Sequence, residues 1–181
     1  MARRSLLFVD GSLLVNDDGL HGMLEKCGSK HLSSGAHVIY IEGFQAGGGV
    51  GMEVKYSGPD TGGRMLFMRS GSIASSTSTK QYYPTCDPNA QTPEDGYFIM
   101  CMFRSEIFLG SIPKIGQADS GINRLYYVGQ SKISSVNFRE LGQFRAAVPS
   151  TPDANYAWAV MGTLKIGVAG SYSLCIESDD G

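Results

Sequence analysis

The sequence predicts an all-β chain, an antiparallel β-sandwich, on three observations. Twenty-four glycines among 181 residues, with abundant Ser and Thr, supply many turns and leave few long amphipathic runs. Two blocks, one toward each end, alternate apolar and polar side chains with the period of two that turns one face of a strand toward a core. Helical periodicity is weak throughout. At this length one domain, or one domain with a tail, is expected, with enough chain for a sizeable core.

Residues 6–9, Leu-Leu-Phe-Val, form a short apolar strand ended by the turn dipeptide Asp10-Gly11. Residues 38–41 make a β-branched strand preceded by Ser33-Ser34-Gly35. Gly47-Gly48-Gly49-Val50-Gly51 reads as a hairpin turn and not a phosphate loop, because no Lys-Ser/Thr follows it and a strand, not a helix, comes next. In that strand Met52, Val54 and Tyr56 alternate with Glu53, Lys55 and Ser57, the pattern of half-burial. Residues 63–96 are rich in Gly, Ser, Thr and Pro and read as a linker or long loop that buries little apolar area. Apolar segments at 96–108, 125–128 and 136–138 are further strands, and the stretch 148–155, with Pro149 and Pro152, is a loop leading to the lone Trp158, a core residue. Leu164, Ile166 and Val168, then Tyr172, Leu174 and Ile176 beyond Ala169-Gly170, read as a hairpin.

Composition bounds the partners. Fifteen Lys and Arg against seventeen Asp and Glu leave a formal charge of −2 with no basic stripe, so nucleic acid is not an expected partner. No run approaches the ~18–20 apolar residues of a membrane span, so membrane insertion is not expected. Residues 6–9 are too short for a signal-peptide core, and a secreted parent would carry its signal elsewhere. Cys27, Cys86, Cys101 and Cys175 are even in number and lack C-x-x-C pairs, which leaves one or two disulfides or four reduced thiols open.

Catalytic constellations are missing from the sequence. His21, His31 and His37 lack zinc-site spacings, no Ser lies in a G-x-S-x-G context, and no Cys has a plausible His partner. The chain reads as a binding or structural module and not as an enzyme. Tyr82, Tyr83, Tyr126 and Tyr127 are aromatic pairs that pack one ring in a core or, when exposed, stack on a sugar.

One set of motifs is more specific. The order Gly162-Thr163-Leu164, Gly170-Ser171-Tyr172, Ser178-Asp179-Asp180-Gly181 resembles the first half of a PA-14 module, the sandwich named after anthrax protective antigen and related to the lectin domains of fungal flocculins and adhesins. The motifs that follow S-D-D-G in that family stand here at the other end of the chain. They are Ser5-Leu6-Leu7-Phe8-Val9-Asp10-Gly11, Asp18-Gly19-Leu20-His21-Gly22, Gly35-Ala36-His37 and Tyr56-Ser57-Gly58-Pro59-Asp60-Thr61. Residues 1–62 thus resemble the C-terminal half of a PA-14-like module and 97–181 the N-terminal half, with 63–96 between them, although 97–157 match only loosely. Such a chain is either circularly permuted or split between two tandem modules.

The resemblance implies a calcium-assisted, non-catalytic carbohydrate-binding or adhesion module of a larger extracellular or cell-surface protein. Its partners would be a glycan or glycoprotein and neighbouring modules of the same protein. Asp179 and Asp180 would bind both the carbohydrate and the metal, since adjacent carboxylates repel unless a cation or amide donors hold them, and calcium takes six to eight oxygen ligands. Asn16-Asp17-Asp18-Gly19 reads as a second acidic turn, placing Asp17 and Asp18 as further candidate calcium ligands or as a plain Asx turn. The competing implications are a structural spacer in a repeat array, with S-D-D-G only a capped turn, and an accessory domain of a glycoside hydrolase.

Overall fold

The computed structural model describes residues 4–18, 21–71, 96–107 and 125–179. Along them run β1 (Arg4–Val9), β2 (Ser12–Asp18), β3 (Leu24–Leu32), β4 (Gly35–Gln45) and β5 (Gly51–Ser57). A 3-10 turn (Pro59–Thr61) leads to β6 (Leu66–Phe67), β7 (Phe98–Ser105), β8 (Leu125–Ile133) and β9 (Asn137–Phe138). Helix α1 (Leu141–Ala147), β10 (Tyr156–Ile166) and β11 (Gly170–Asp179) complete the order. One sheet has six strands in the order β2-β1-β4-β10-β7-β8; the other has five, β3-β11-β5-β6 with β9 also on β5. The chain is an all-β antiparallel sandwich, and strands from its two ends lie side by side in both sheets, β4 between β1 and β10 and β11 between β3 and β5.

The core fills the space between the sheets. Ile39, Ile41, Val160, Leu164 and Ile166 face Met52, Val54, Tyr172, Leu174 and Ile176, all essentially without solvent contact. Trp158 lies in this layer as expected, wholly buried, with Phe144 of α1 5.3 Å away and Tyr156 5.8 Å away between ring centres. Gly43 makes room for it: a Cβ there would stand 2.5 Å from Trp158 Cζ2. Asp10 and Gly11, with φ of 52° and 74°, form the two-residue turn of the β1–β2 hairpin, whose twist matches that of its strands.

Two expected hairpins are corrected. Residues 46–50 connect β4 to β5 and residues 167–169 connect β10 to β11, yet each pair is divided between the two sheets, so both connections are crossovers. The cause is that alternation marks the buried face and not the sheet: Leu164 and Ile166 meet Tyr172 and Leu174 across the core from the opposite side. The linker expected over 63–96 also gives up its start, because Leu66 and Phe67 pair with β5 and Met68 is buried in the core. Residues 72–95 lie outside the described residues, with Tyr82, Tyr83 and Cys86 among them.

The outer face of the six-stranded sheet is also buried along its centre. Phe44, Cys101, Phe103, Ala157 and Ala159 form a second apolar cluster there, with Tyr40 and Tyr127 at its margin. Tyr127 meets Phe103 edge-on, and Arg104 lies over the ring of Tyr126, both tyrosines being partly buried. Beside them the Tyr40 hydroxyl donates to Glu42 Oε1 at 2.6 Å, and burial pushes the Glu42 carboxyl above its ordinary value despite that bond. A carboxyl raised on folding stabilises the fold below its unfolded value and loses that contribution as pH rises through the folded one. Glu42→Gln is therefore expected to raise the melting temperature at neutral pH, with the gain vanishing as pH falls below the unfolded value of 4.5. Melting curves across that range check it; a loss at neutral pH would mean that the charge has a stabilising role.

Candidate functional site

One end of the sandwich gathers polar groups from both sheets. Asp17 continues the inward alternation of Val15 on β2, and its side chain has no solvent contact. Here the sequence reading is corrected: Asn16, Asp17 and Asp18 end strand β2 and do not form an Asx turn. Opposite Asp17 in register is Ser5 of β1, also fully buried, and from the other sheet Ser178 Oγ of β11 donates to Asp17 Oδ2 at 3.3 Å. Lys26 Nζ of β3 lies 2.9 Å and His21 Nε2 3.1 Å from Asp17 Oδ1, while His21 Nδ1 is 2.8 Å from Gly22 O. The Lys26 charge and the single hydrogen bond from Ser178 stand in for the water that the carboxylate loses, although Oδ1 itself accepts no aligned hydrogen bond.

Asp179 ends β11 beside this group and is half-buried. The glycine-rich crossover lies against it so closely that a Cβ on Gly49 would stand 2.4 Å from Asp179 Oδ2. Gln45 Nε2 fixes the crossover by donating to Gly49 O at 2.6 Å. The sequence had assigned these glycines only to a turn; their closeness to the S-D-D-G carboxylate has no local signal, because it depends on β4 and β11 converging from different sheets. Asp180, Gly181 and the side chain of Asp18 lie outside the described residues.

These groups differ in their fitness for a cation. Asp179 has no ion-pair partner among the described residues, and its Oδ2 points at the Cα side of Gly49, whose carbonyl is taken up by Gln45 Nε2. Asp17 is already engaged by the Lys26 ammonium, with which a cation at Oδ1 would compete. Asp17 is thus the engaged carboxylate of this end of the sandwich, and Asp179 the one without an ion-pair partner among the described residues.

The outer face of the five-stranded sheet carries a second polar array, which alternation alone exposes as surface. In register across β3, β11 and β5 lie Glu25-Glu177-Glu53, then Cys27-Cys175-Lys55, then Ser29-Ser173-Ser57. Lys55 reaches Glu177 at 2.7 Å and Glu25 at 3.2 Å. Glu53, expected to face solvent, is fully buried because Arg139 lies across it with a two-pronged hydrogen bond. Burial pushes its carboxyl up, but the hydrogen bonds and charges of Arg139 and Lys55 outweigh that and hold it below its ordinary value. The serine row borders an open depression of about 490 Å³ walled by Gly58, Pro59 and Gly63.

Cys27 and Cys175 form a disulfide, and Cys101 is disulfide-bonded as well. The cluster Glu25, Cys27 and Cys175 is the one group of metal-ligand type among the described residues, and its sulfurs are bonded to each other. His37, buried at the head of β4, bridges Asp10 Oδ2 at 2.7 Å and Ser33 O at 2.9 Å, a structural tie of the β1–β2 turn. No helix among the described residues is long and apolar enough to cross a membrane. The chain matches no protein-family model, and neither the curated proteins nor the solved structures contain a match to it.

Proposed function

We propose that this chain is a non-catalytic carbohydrate-binding and adhesion module, calcium-assisted and PA-14-like, belonging to a larger secreted or cell-surface protein. One observation carries the reading. The two motif sets that the PA-14 resemblance places in succession, ending at Ser178-Asp179 and beginning at Ser5, meet in space at one end of one sandwich, joined by Ser178 and Asp17. In this reading Asp179 and Asp180 hold the ion and the glycine crossover shapes the ligand's approach, while Lys26 and His21 occupy Asp17. Calcium, when bound, supplies coordination positions for sugar hydroxyls. The disulfides suit an oxidising compartment, in keeping with an extracellular location.

A second reading, a structural spacer in a repeat array, draws on the same cluster: a buried carboxylate already engaged by a lysine needs no ion to explain it. Calcium titration of the full chain separates the two. The lectin reading expects binding heat and, at a calcium concentration one hundred times the dissociation constant, about 2.7 kcal/mol of added stability. Both are lost in Asp179→Asn, and binding to immobilised glycans is lost with chelator. No heat and no shift in melting temperature would leave the spacer.

A further inference from the structure

The disulfide on the outer face of the five-stranded sheet joins residues that are direct partners on adjacent strands, with Cα atoms 4.0 Å apart. One of those strands, β3, is the edge of its sheet, whereas β11 is also paired with β5 from Ser173 to Asp179. The two sulfurs differ in access and surroundings. Cys27 is exposed and its Sγ lies 4.0 Å from the Glu25 carboxylate, while Cys175 is 1% exposed, has Ser173 Oγ at 3.9 Å and faces Lys55 across the ladder. An attacking thiolate can reach only Cys27. The sulfur it displaces, Cys175, then carries its charge beside the Ser173 hydroxyl and opposite Lys55 in register, while the Glu25 carboxylate lies within 4.8 Å of both sulfurs and favours neither.

We propose that Cys27–Cys175 is a redox clamp which a dithiol, free or on a thiol-disulfide oxidoreductase, opens in the folded protein. Its opening frees edge strand β3 and with it the Lys26–Asp17 pair at the sandwich end. The reductant's thiolate bonds to Cys27 Sγ as the Cys27–Cys175 bond breaks, and the electron pair passes to Cys175 Sγ, which takes up a proton. The reductant's second thiolate then attacks its partner sulfur in the mixed disulfide and releases Cys27, which is protonated in turn. The dithiol becomes a disulfide, and two electrons and two protons pass to the cysteines. Lys26 immediately precedes Cys27, so the clamp holds in place the ammonium that compensates Asp17. Cys101 is 0% exposed in the apolar cluster of the other sheet, so its own sulfur is closed to direct attack while the sandwich stays folded.

The test treats the full chain with dithiothreitol, follows near-UV circular dichroism, and quenches samples with an alkylating agent for peptide mass spectrometry and amide exchange. Cys27 and Cys175 should be labelled while Cys101 is not and the near-UV signal of Trp158 persists. Amide exchange over 24–32 should rise by about tenfold or more, with 35–45 unchanged. Labelling of Cys101 at the same rate, or labelling of Cys27 only as the near-UV signal is lost, overturns the proposal. The double variant Cys27→Ser/Cys175→Ser should show the raised exchange without reductant. A variant that exchanges like the oxidised chain, or one that does not fold, overturns it equally, since the clamp would then govern nothing or the whole sandwich.

Discussion

Trp158→Ala is expected to lower the stability of the chain by about 3–5 kcal/mol, a large share of the roughly 5–15 kcal/mol that holds a domain folded. The indole has no solvent contact, is walled by Phe144 and Tyr156, and donates its Nε1–H to Met52 Sδ at 2.9 Å, so its removal opens a cavity bridging both sheets. Because it is the sole tryptophan, the unfolding of the variant is followed by far-UV circular dichroism in urea and not by fluorescence. Gly43→Ala tests the same packing from below. Its methyl would stand 2.5 Å from the ring, and a ring fixed on its other sides has no direction in which to yield, so about 1–3 kcal/mol of overpacking is expected. In a Trp158→Leu background that penalty should largely vanish. Additivity of the two changes within about 0.5 kcal/mol would show that the alanine is accommodated by backbone movement and not opposed by the indole.

That packing also marks what the sequence could and could not convey. The strands at Met52-Val54 and Leu174-Ile176 were legible because alternation follows directly from one-sided burial. Their partners were not: β10 and β11 alternate as a hairpin would, yet they face each other across the core, and only pairing over long sequence separations decides between the two arrangements. Glu53 lies on the outer face of its sheet, as alternation predicts, yet it is fully buried there because Arg139, 86 residues away, covers it, and no local pattern contains that partner. Helix α1 escaped notice because seven residues complete fewer than two turns, too few for a 3.6-residue period to emerge. The acidic end was partly legible. Asp17 and Asp179 were singled out by their doublets and by the motif order, whereas the roles of Lys26, Ser178 and Gly49 arise from three strands converging and carry no signature of their own.

At that end Lys26→Met should be more damaging than Asp17→Asn, although the lysine is the more exposed partner. The aspartate has no solvent contact while the lysine side chain is 39% exposed, so the costs of separating them are unequal. Removing the ammonium leaves a buried carboxylate with Ser178 and His21 alone, which for a fully buried pair would cost about 3–5 kcal/mol and, with solvent screening at the lysine, about 1–3 kcal/mol. Asp17→Asn keeps the volume and an oxygen for Ser178 to donate to, and it returns a half-exposed ammonium to water, so a loss within about 1 kcal/mol is expected. The double variant Asp17→Asn/Lys26→Met should then be more stable than Lys26→Met alone, a reversal that arises only if the single variant strands a charge. Urea midpoints at neutral pH read all three. A Lys26→Met chain as stable as Asp17→Asn would mean that His21 and Ser178 suffice to hold the carboxylate, and Lys26 would no longer be the group that compensates it.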